Sequence, residues 1–295
     1  MNVLIIGGGN MGRSFAESFL NAKILSHKQL TVIEKDHAQI QELNRLKLGQ
    51  IYNDYGDFIL DKELIILAVK PQDAYSVYPK LKPFLTEKHI VLSIMAGVPI
   101  KQIEEQLGIN KAVRCMPNLP CQIGLGVTGF MVSETIPQHD IDFIRKLLET
   151  TGVSIQLYDE DKLNAVTAIS GSGPAYIFYF MDAMIQKTME YGFSATEASK
   201  MVEQTFLGAV ELYKVNNLSC REWISKVASK GGTTEAALKQ FQLTAVEAGI
   251  QKGMDDALFK YEWFMSIPSQ SYEHVWFFEN EPVNVNLIKQ HFKHI

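Results

Sequence analysis

Val3-Leu4-Ile5-Ile6-Gly7-Gly8-Gly9-Asn10-Met11-Gly12 is the stretch that decides the fold of this 295-residue chain. Four consecutive apolar residues read as a short strand covered on both faces, the signature of a parallel sheet. A Gly-x-Gly-x-x-Gly turn follows at once and opens a helix. Gly7 permits the tight turn, Gly9 lets a pyrophosphate approach the backbone, and Gly12 lets helix and strand pack closely. The free N–H groups and positive dipole end of that helix then receive phosphates. Asn10 and Met11 lie inside the same turn and belong with the cofactor-binding positions.

Working outward, residues 30–33 form the next strand, and Glu34 stands at its end, 22 positions after Gly12. A carboxylate there accepts hydrogen bonds from the adenosine ribose hydroxyls and repels a 2′-phosphate. The expected cofactor is NADH or NADPH, with Glu34 tilting the choice toward NADH and Lys35 partly offsetting the repulsion. Further strands are expected at 64–69, 90–94, 112–116, 127–132 and 154–157. Helices are expected at 10–22, 38–46, 73–85, 99–107 (with proline in its first turn) and 138–151. Alternating β and α elements predict an α/β, Rossmann-like, doubly wound sheet over residues 1–160.

From 161 to 267 the pattern turns all-helical, with helices expected at 162–169, 174–191, 195–215, 219–227, 234–241 and 245–265. Ser194 and Ser219 each precede a Glu by three residues, Glu197 and Glu222, the spacing of a capping box. No internal repeat is present. Residues 268–295 form a tail with Pro268, Pro282 and five aromatics. It is too apolar for a plain linker and either packs on the body or binds something.

Composition narrows the function classes. A net charge of −5 argues against nucleic acid or an anionic membrane as partner, since both need a basic footprint. Three cysteines with no CxxC pair point away from a disulfide scaffold and toward a reducing cytoplasm. A secretory signal is not expected, for want of a basic n-region and a small-residue cleavage site. The apolar run 165–185, with Asp182 as its one charge, is broken by Gly171, Gly173 and Pro174 and reads as a buried helix, not a membrane span. The seven histidines show no ligand spacing, so no metal is expected. Met11, Met95, Met116 and Met131 read as core or wall filling.

Five further segments lack an obvious packing explanation. Ala68-Val69-Lys70-Pro71, Ser93-Ile94-Met95-Ala96-Gly97-Val98 and Arg114-Cys115-Met116-Pro117-Asn118-Leu119-Pro120 each end a strand at the carboxyl edge of the sheet, where open α/β folds bind ligands. Ser170-Gly171-Ser172-Gly173-Pro174-Ala175-Tyr176 opens a long helix; taken alone, its glycines permit close packing and its proline starts the helix. Ser229-Lys230-Gly231-Gly232-Thr233-Thr234 joins two helices. A glycine pair before a helix offers unpaired N–H groups to an anion such as a carboxylate; the alternative is a plain connecting turn.

In this order and spacing, over about residues 1–266, the segments resemble the pyrroline-5-carboxylate reductase family, within the 6-phosphogluconate-dehydrogenase-like superfamily. The resemblance implies reduction of a cyclic imine, 1-pyrroline-5-carboxylate, to L-proline in the last step of proline biosynthesis, by hydride transfer from NAD(P)H. It implies that Ala68, Val69, Lys70, Pro71, Ala96 and Gly97 border the cofactor's ribose and nicotinamide, and that Met116, Pro117 and Asn118 form the wall near the reacting centre. Ser229, Gly231, Gly232 and Thr233 would hold the substrate carboxylate, with the Thr234 hydroxyl at the ring nitrogen as the catalytic group. It also implies a homodimer through the helical domain, with sites using both chains, and further assembly of dimers. Two departures stand out. Lys230 replaces the proline of SPGGTT, and either adds positive charge beside the carboxylate or points to solvent. Leu119 replaces the threonine common in MPNTP and removes a hydroxyl from the wall. The residues leave two alternatives open: a reductase of the superfamily acting on another imine or oxo acid, and a dinucleotide-binding protein without catalysis.

Overall fold

The structure, a computed structural model, describes residues 1–266. Strands β1 (Val3–Ile6), β2 (Leu30–Ile33), β4 (Leu64–Leu67) and β5 (Ile90–Ser93) are buried at every position. That explains their unbroken apolar runs, because a parallel strand has no solvent face. With β3 (Gln50–Tyr52) and β6 (Ala112–Met116) they order as β3-β2-β1-β4-β5-β6. All neighbours are parallel, with Val3 opposite Leu30 on one side and Leu64 on the other. The strand order therefore reverses between β1 and β4, directly below the glycine turn, and such switch points are where open sheets bind ligands.

Helices α1 (Asn10–Asn21), α2 (His37–Arg45), α3 (Ala74–Leu81) and α4 (Ile100–Leu107) accompany these strands. Phe15 and Phe19 fill the buried side of α1, and Ile65, Leu67, Val77, Leu81 and Ile103 belong to one buried cluster. Three details differ from the sequence reading. β3 carries no apolar run, being a three-residue edge strand with Gln50 and Tyr52 exposed. The helix expected over 73–85 is divided: a 3-10 turn Pro71–Asp73, then α3, then a second 3-10 turn Lys82–Phe84. Pro83 lacks an N–H and clashes with the preceding turn, so the α-helix stops before it. Pro99 is the extended N-cap residue of α4, outside its first turn.

The contacts separate two units. Residues 1–115 and 131–147, with the described residues from Tyr261, make one; residues 116–130 and 148–260 make the other. The second unit thus includes more than the helices after residue 160. It contains β7 (Gly126–Val132) up to Phe130 and β8 (Gly152–Gln156), paired in parallel from Gly126↔Gly152 to Phe130↔Gln156. Helix α5 (Gln138–Glu149) lies between these strands in sequence. Close packing ties β7 to α6 (Glu160–Val166): a Cβ on Gly129 would stand 3.0 Å from Val166 and 3.1 Å from Leu163.

A π-turn, Thr167–Gly171, leads into α7 (Gly173–Glu190). Then come α8 (Ala195–Lys214), α9 (Cys220–Val227), α10 (Thr233–Leu243) and α11 (Val246–Ser266). Both expected capping boxes form, Ser194 with Glu197 and Ser219 with Glu222. Neither α7, α9 nor α10 has a buried residue within the single chain, although Phe178 is 60% and Tyr179 74% exposed. No described helix is long and apolar enough to cross a membrane. The tail expectation for 268–295 lies outside the described residues.

Candidate active site

In the first unit the glycine turn borders a cavity of about 490 Å³. Each glycine has a distinct steric duty. Gly7 sits at φ +102°, and a Cβ there would meet the Ala68 carbonyl oxygen at 2.5 Å. A Cβ on Gly12 would lie 2.0 Å from the Gly7 oxygen, so α1 could not rest on β1. Gly9 meets nothing within 4 Å; it faces open space and is the N-cap of α1 with no side chain capping the helix. An open cradle in front of uncapped helix N–H groups fits a pyrophosphate. Asn10, Met11 and Gly12 form the first turn of α1 behind it.

Glu34 does more than end β2. Its Oε2 accepts from the Gly8 N–H at 2.7 Å, while Oε1 accepts from the N–H groups of Lys35 at 2.7 Å and Asp36 at 2.9 Å. The carboxylate thus clasps the glycine turn to the end of β2. Lys35 lines the same cavity, with its ammonium 3.7 Å from Asp73, another lining residue. Gly7, Gly9, Glu34, Ala68, Val69 and Lys70 all line the cavity, and Pro71 begins the 3-10 turn beside it. Sequence reasoning missed Asn53, Asp54 and Tyr55, which line the same cavity from the loop after β3, and Lys80 on α3. No periodic signal marks them, because β3 itself had none. Burial pushes the Tyr55 hydroxyl up to about 12, and the Lys80 ammonium lies 5.9 Å from the Tyr55 ring centre. Ala96 and Gly97 form the turn after β5, with Gly97 at φ +77°.

In the second unit, Asn118 is held at both ends of its amide. Oδ1 accepts from the Val127 N–H at 2.9 Å, and Nδ2 donates to the Ser170 carbonyl at 3.1 Å. Its side chain therefore fastens the Met116-Pro117-Asn118 segment to the serine-glycine run. A Cβ on Gly171 would stand 3.1 Å from the Met116 Cε, so that glycine makes room for the methionine. Leu119 is 54% exposed.

The loop 229–234 makes a different kind of site. Gly231 adopts φ +73° and Gly232 is the N-cap of α10, with no side-chain cap. Ser229 accepts the Gly232 N–H at 3.0 Å, closing the loop. Thr234 is half-buried, and Lys230 is exposed within the single chain. The Gly231 N–H donates to the carboxylate of Glu235, a contact the sequence reading did not anticipate. Its signal was available: an acidic residue in the first turn of a helix whose N-cap is glycine. Among the described residues no group of three His, Cys, Asp or Glu could hold a metal.

Residues 160–262 match the family described as pyrroline-5-carboxylate reductase dimerisation, and residues 2–97 match NADP oxidoreductase coenzyme F420-dependent. A pyrroline-5-carboxylate reductase of Pseudomonas aeruginosa is 32% identical, over 86% of this chain and 93% of that one. The structure of the enzyme of that name from Coxiella burnetii superposes with a TM-score of 0.84 at 29% identity, covering 90% of this chain and 99% of the other. That of a Plasmodium falciparum pyrroline carboxylate reductase with NADP bound gives 0.79 at 25% identity, covering 90% and 98%.

Proposed function

The chain belongs to the pyrroline-5-carboxylate reductase family, and from that premise we propose how its own residues divide the work. It is an NAD(P)H-dependent oxidoreductase that reduces 1-pyrroline-5-carboxylate to L-proline. The nicotinamide supplies the hydride when bound. The glycine turn and the α1 N-terminus hold the phosphates, and Glu34 receives the adenosine ribose, favouring NADH over NADPH. Lys70, Pro71, Ala96 and Gly97 border the nicotinamide side.

The substrate is a carboxylate carrying an electrophilic C=N bond, so it needs an anion grip and an oriented nitrogen more than a strong acid. We assign the grip to the Ser229–Thr233 backbone and the nitrogen contact to the Thr234 hydroxyl. One observation carries this assignment: the Gly231 N–H, beside an uncapped helix N-terminus, already binds a carboxylate, that of Glu235. The substrate's carboxylate is the same chemical group presented to the same amide. Asn118 becomes a positioning residue, since both ends of its amide serve the backbone.

The protein is a homo-oligomer of the family whose dimerisation segment it carries. We place the dimer contact on the apolar faces of α7 and α11, where the single chain leaves Ile177, Phe178, Tyr179 and Ile250 exposed. Three thiols without a disulfide suit a reducing cytoplasm. The test is the reduced-nicotinamide absorbance with pyrroline-5-carboxylate and either nucleotide, for the wild type and Thr234→Ala. Losing a hydrogen bond to a charged nitrogen should lower kcat/KM by roughly ten- to a hundredfold with nucleotide affinity unchanged. An unaltered rate would remove Thr234 from the reaction.

A further inference from the structure

Tyr261, near the end of α11, is buried and lies 164 residues from Gly97 in sequence, yet its hydroxyl oxygen accepts the Gly97 N–H at 2.9 Å. The same oxygen accepts from Arg114 Nη2 at 2.8 Å. An amide and a guanidinium only donate, so both lone pairs of the phenol are engaged and its own proton points elsewhere. Arg114 is 2% exposed and stands opposite Ser93, the last residue of β5, in the β5–β6 register. One hydroxyl therefore ties the tip of the turn after β5 to the middle of the neighbouring strand β6, level with the last residue of β5. Both anchors lie at the carboxyl edge of a parallel sheet, where ligands bind. Gly97 needs this restraint, since at φ +77° a glycine has many competing conformations and no side chain to choose among them.

We infer that Tyr261 is a positioning residue for the dinucleotide: its hydroxyl holds the Ala96-Gly97 turn in the conformation that receives the nicotinamide half. This rests on the reading that the turn borders the nicotinamide. The residue touches neither reacting atom and acts through the Gly97 backbone, with Arg114 as its second anchor. Replacing the phenol by phenyl keeps the ring's packing and leaves the Gly97 N–H without its acceptor, so the turn samples other conformations until ligand orders it again. That cost falls on ligands that reach the turn and spares those that do not.

The experiment compares binding of NADH with that of ADP-ribose, which has every part of the dinucleotide except nicotinamide, by titration calorimetry on the full chain. Y261F should weaken NADH about tenfold, the worth of one hydrogen bond, while the ADP-ribose Kd stays within twofold. The KM for the imine should not move. Y261H keeps a ring acceptor, serves if Y261F does not fold, and should lose less. A96V crowds the same turn and separates the two ways of failing. If A96V weakens NADH selectively and the Tyr261 variants do not, the inference is overturned and the nicotinamide reading of the turn stands. If none of the variants is selective, the reading falls and the inference with it. Equal loss for NADH and ADP-ribose in Y261F means a merely structural tyrosine and also overturns it.

Discussion

Glu34 and Glu235 show one side-chain type in opposite relations to a ligand. Glu34 spends both oxygens on three backbone N–H groups, so its charge is fixed in the cavity to which we assign the adenosine ribose. Glu34→Gln keeps the shape but removes the charge. It should shift the NADPH-to-NADH ratio of kcat/KM by about tenfold toward NADPH, roughly the worth of one charged contact near a surface. A ratio that does not move would show that the selectivity lies in Lys35, Lys70 or Lys80. Glu235 instead holds the Gly231 amide that we assign to the substrate, and it competes with the substrate for it. Glu235→Gln is a weaker acceptor, and steady-state kinetics should find the KM for pyrroline-5-carboxylate lowered about threefold with kcat little changed. An unchanged KM would mean that the substrate carboxylate does not use this amide.

Among elements, the turn from β1 into α1 separates folding from binding within five residues. Gly12→Ala sets a methyl 2.0 Å from the Gly7 oxygen and must push α1 off the sheet. Such overpacking costs about 1–3 kcal/mol and should appear as a lower Tm. Gly9→Ala meets no protein atom, so the Tm should hold while the dinucleotide Kd rises severalfold. If both changes alter only the Tm, the turn is structural and the phosphates bind elsewhere. The start of α10 follows the same logic in reverse. α8 and α9 satisfy their N-termini with serine–glutamate boxes, whereas α10 begins on glycine and leaves its N–H groups to whatever anion arrives.

At the scale of the whole molecule, His89 links stability to pH. The Thr86 N–H donates to Nδ1 at 2.8 Å, so Nε2 carries the proton and faces the Ile59 carbonyl at 3.2 Å. Burial, opposed by the carbonyl contacts, holds the ring's pKa below the ordinary 6.5. The unfolded chain takes up a proton near 6.5 that the folded chain refuses. The stabilisation is therefore complete above that pH and is lost as the pH falls toward the depressed folded value. Thermal melts should show the Tm declining below pH 6.5, and His89→Gln, whose amide can replace both contacts, should flatten that decline. An identical acid limb in both proteins would assign it to other groups. Many of the exposed large apolar side chains lie in the helical unit, where α7 has no fully buried residue within one chain, so its stability should depend on assembly.

Local pattern alone determined the parallel strands, the glycine turn, the capped helices and the family to which the chain belongs. Each of these is written in contiguous residues: apolar runs for doubly covered strands, glycines where a Cβ would collide, serine three residues before glutamate. Only the tertiary structure decided that Asn118 clamps backbone at both ends of its amide, that Asn53, Asp54 and Tyr55 share the Glu34 cavity, and that Tyr261 holds Gly97. These relations join residues far apart in the chain through single polar contacts. Such contacts impose no period on the sequence, because one hydrogen bond constrains two positions and leaves every residue between them free.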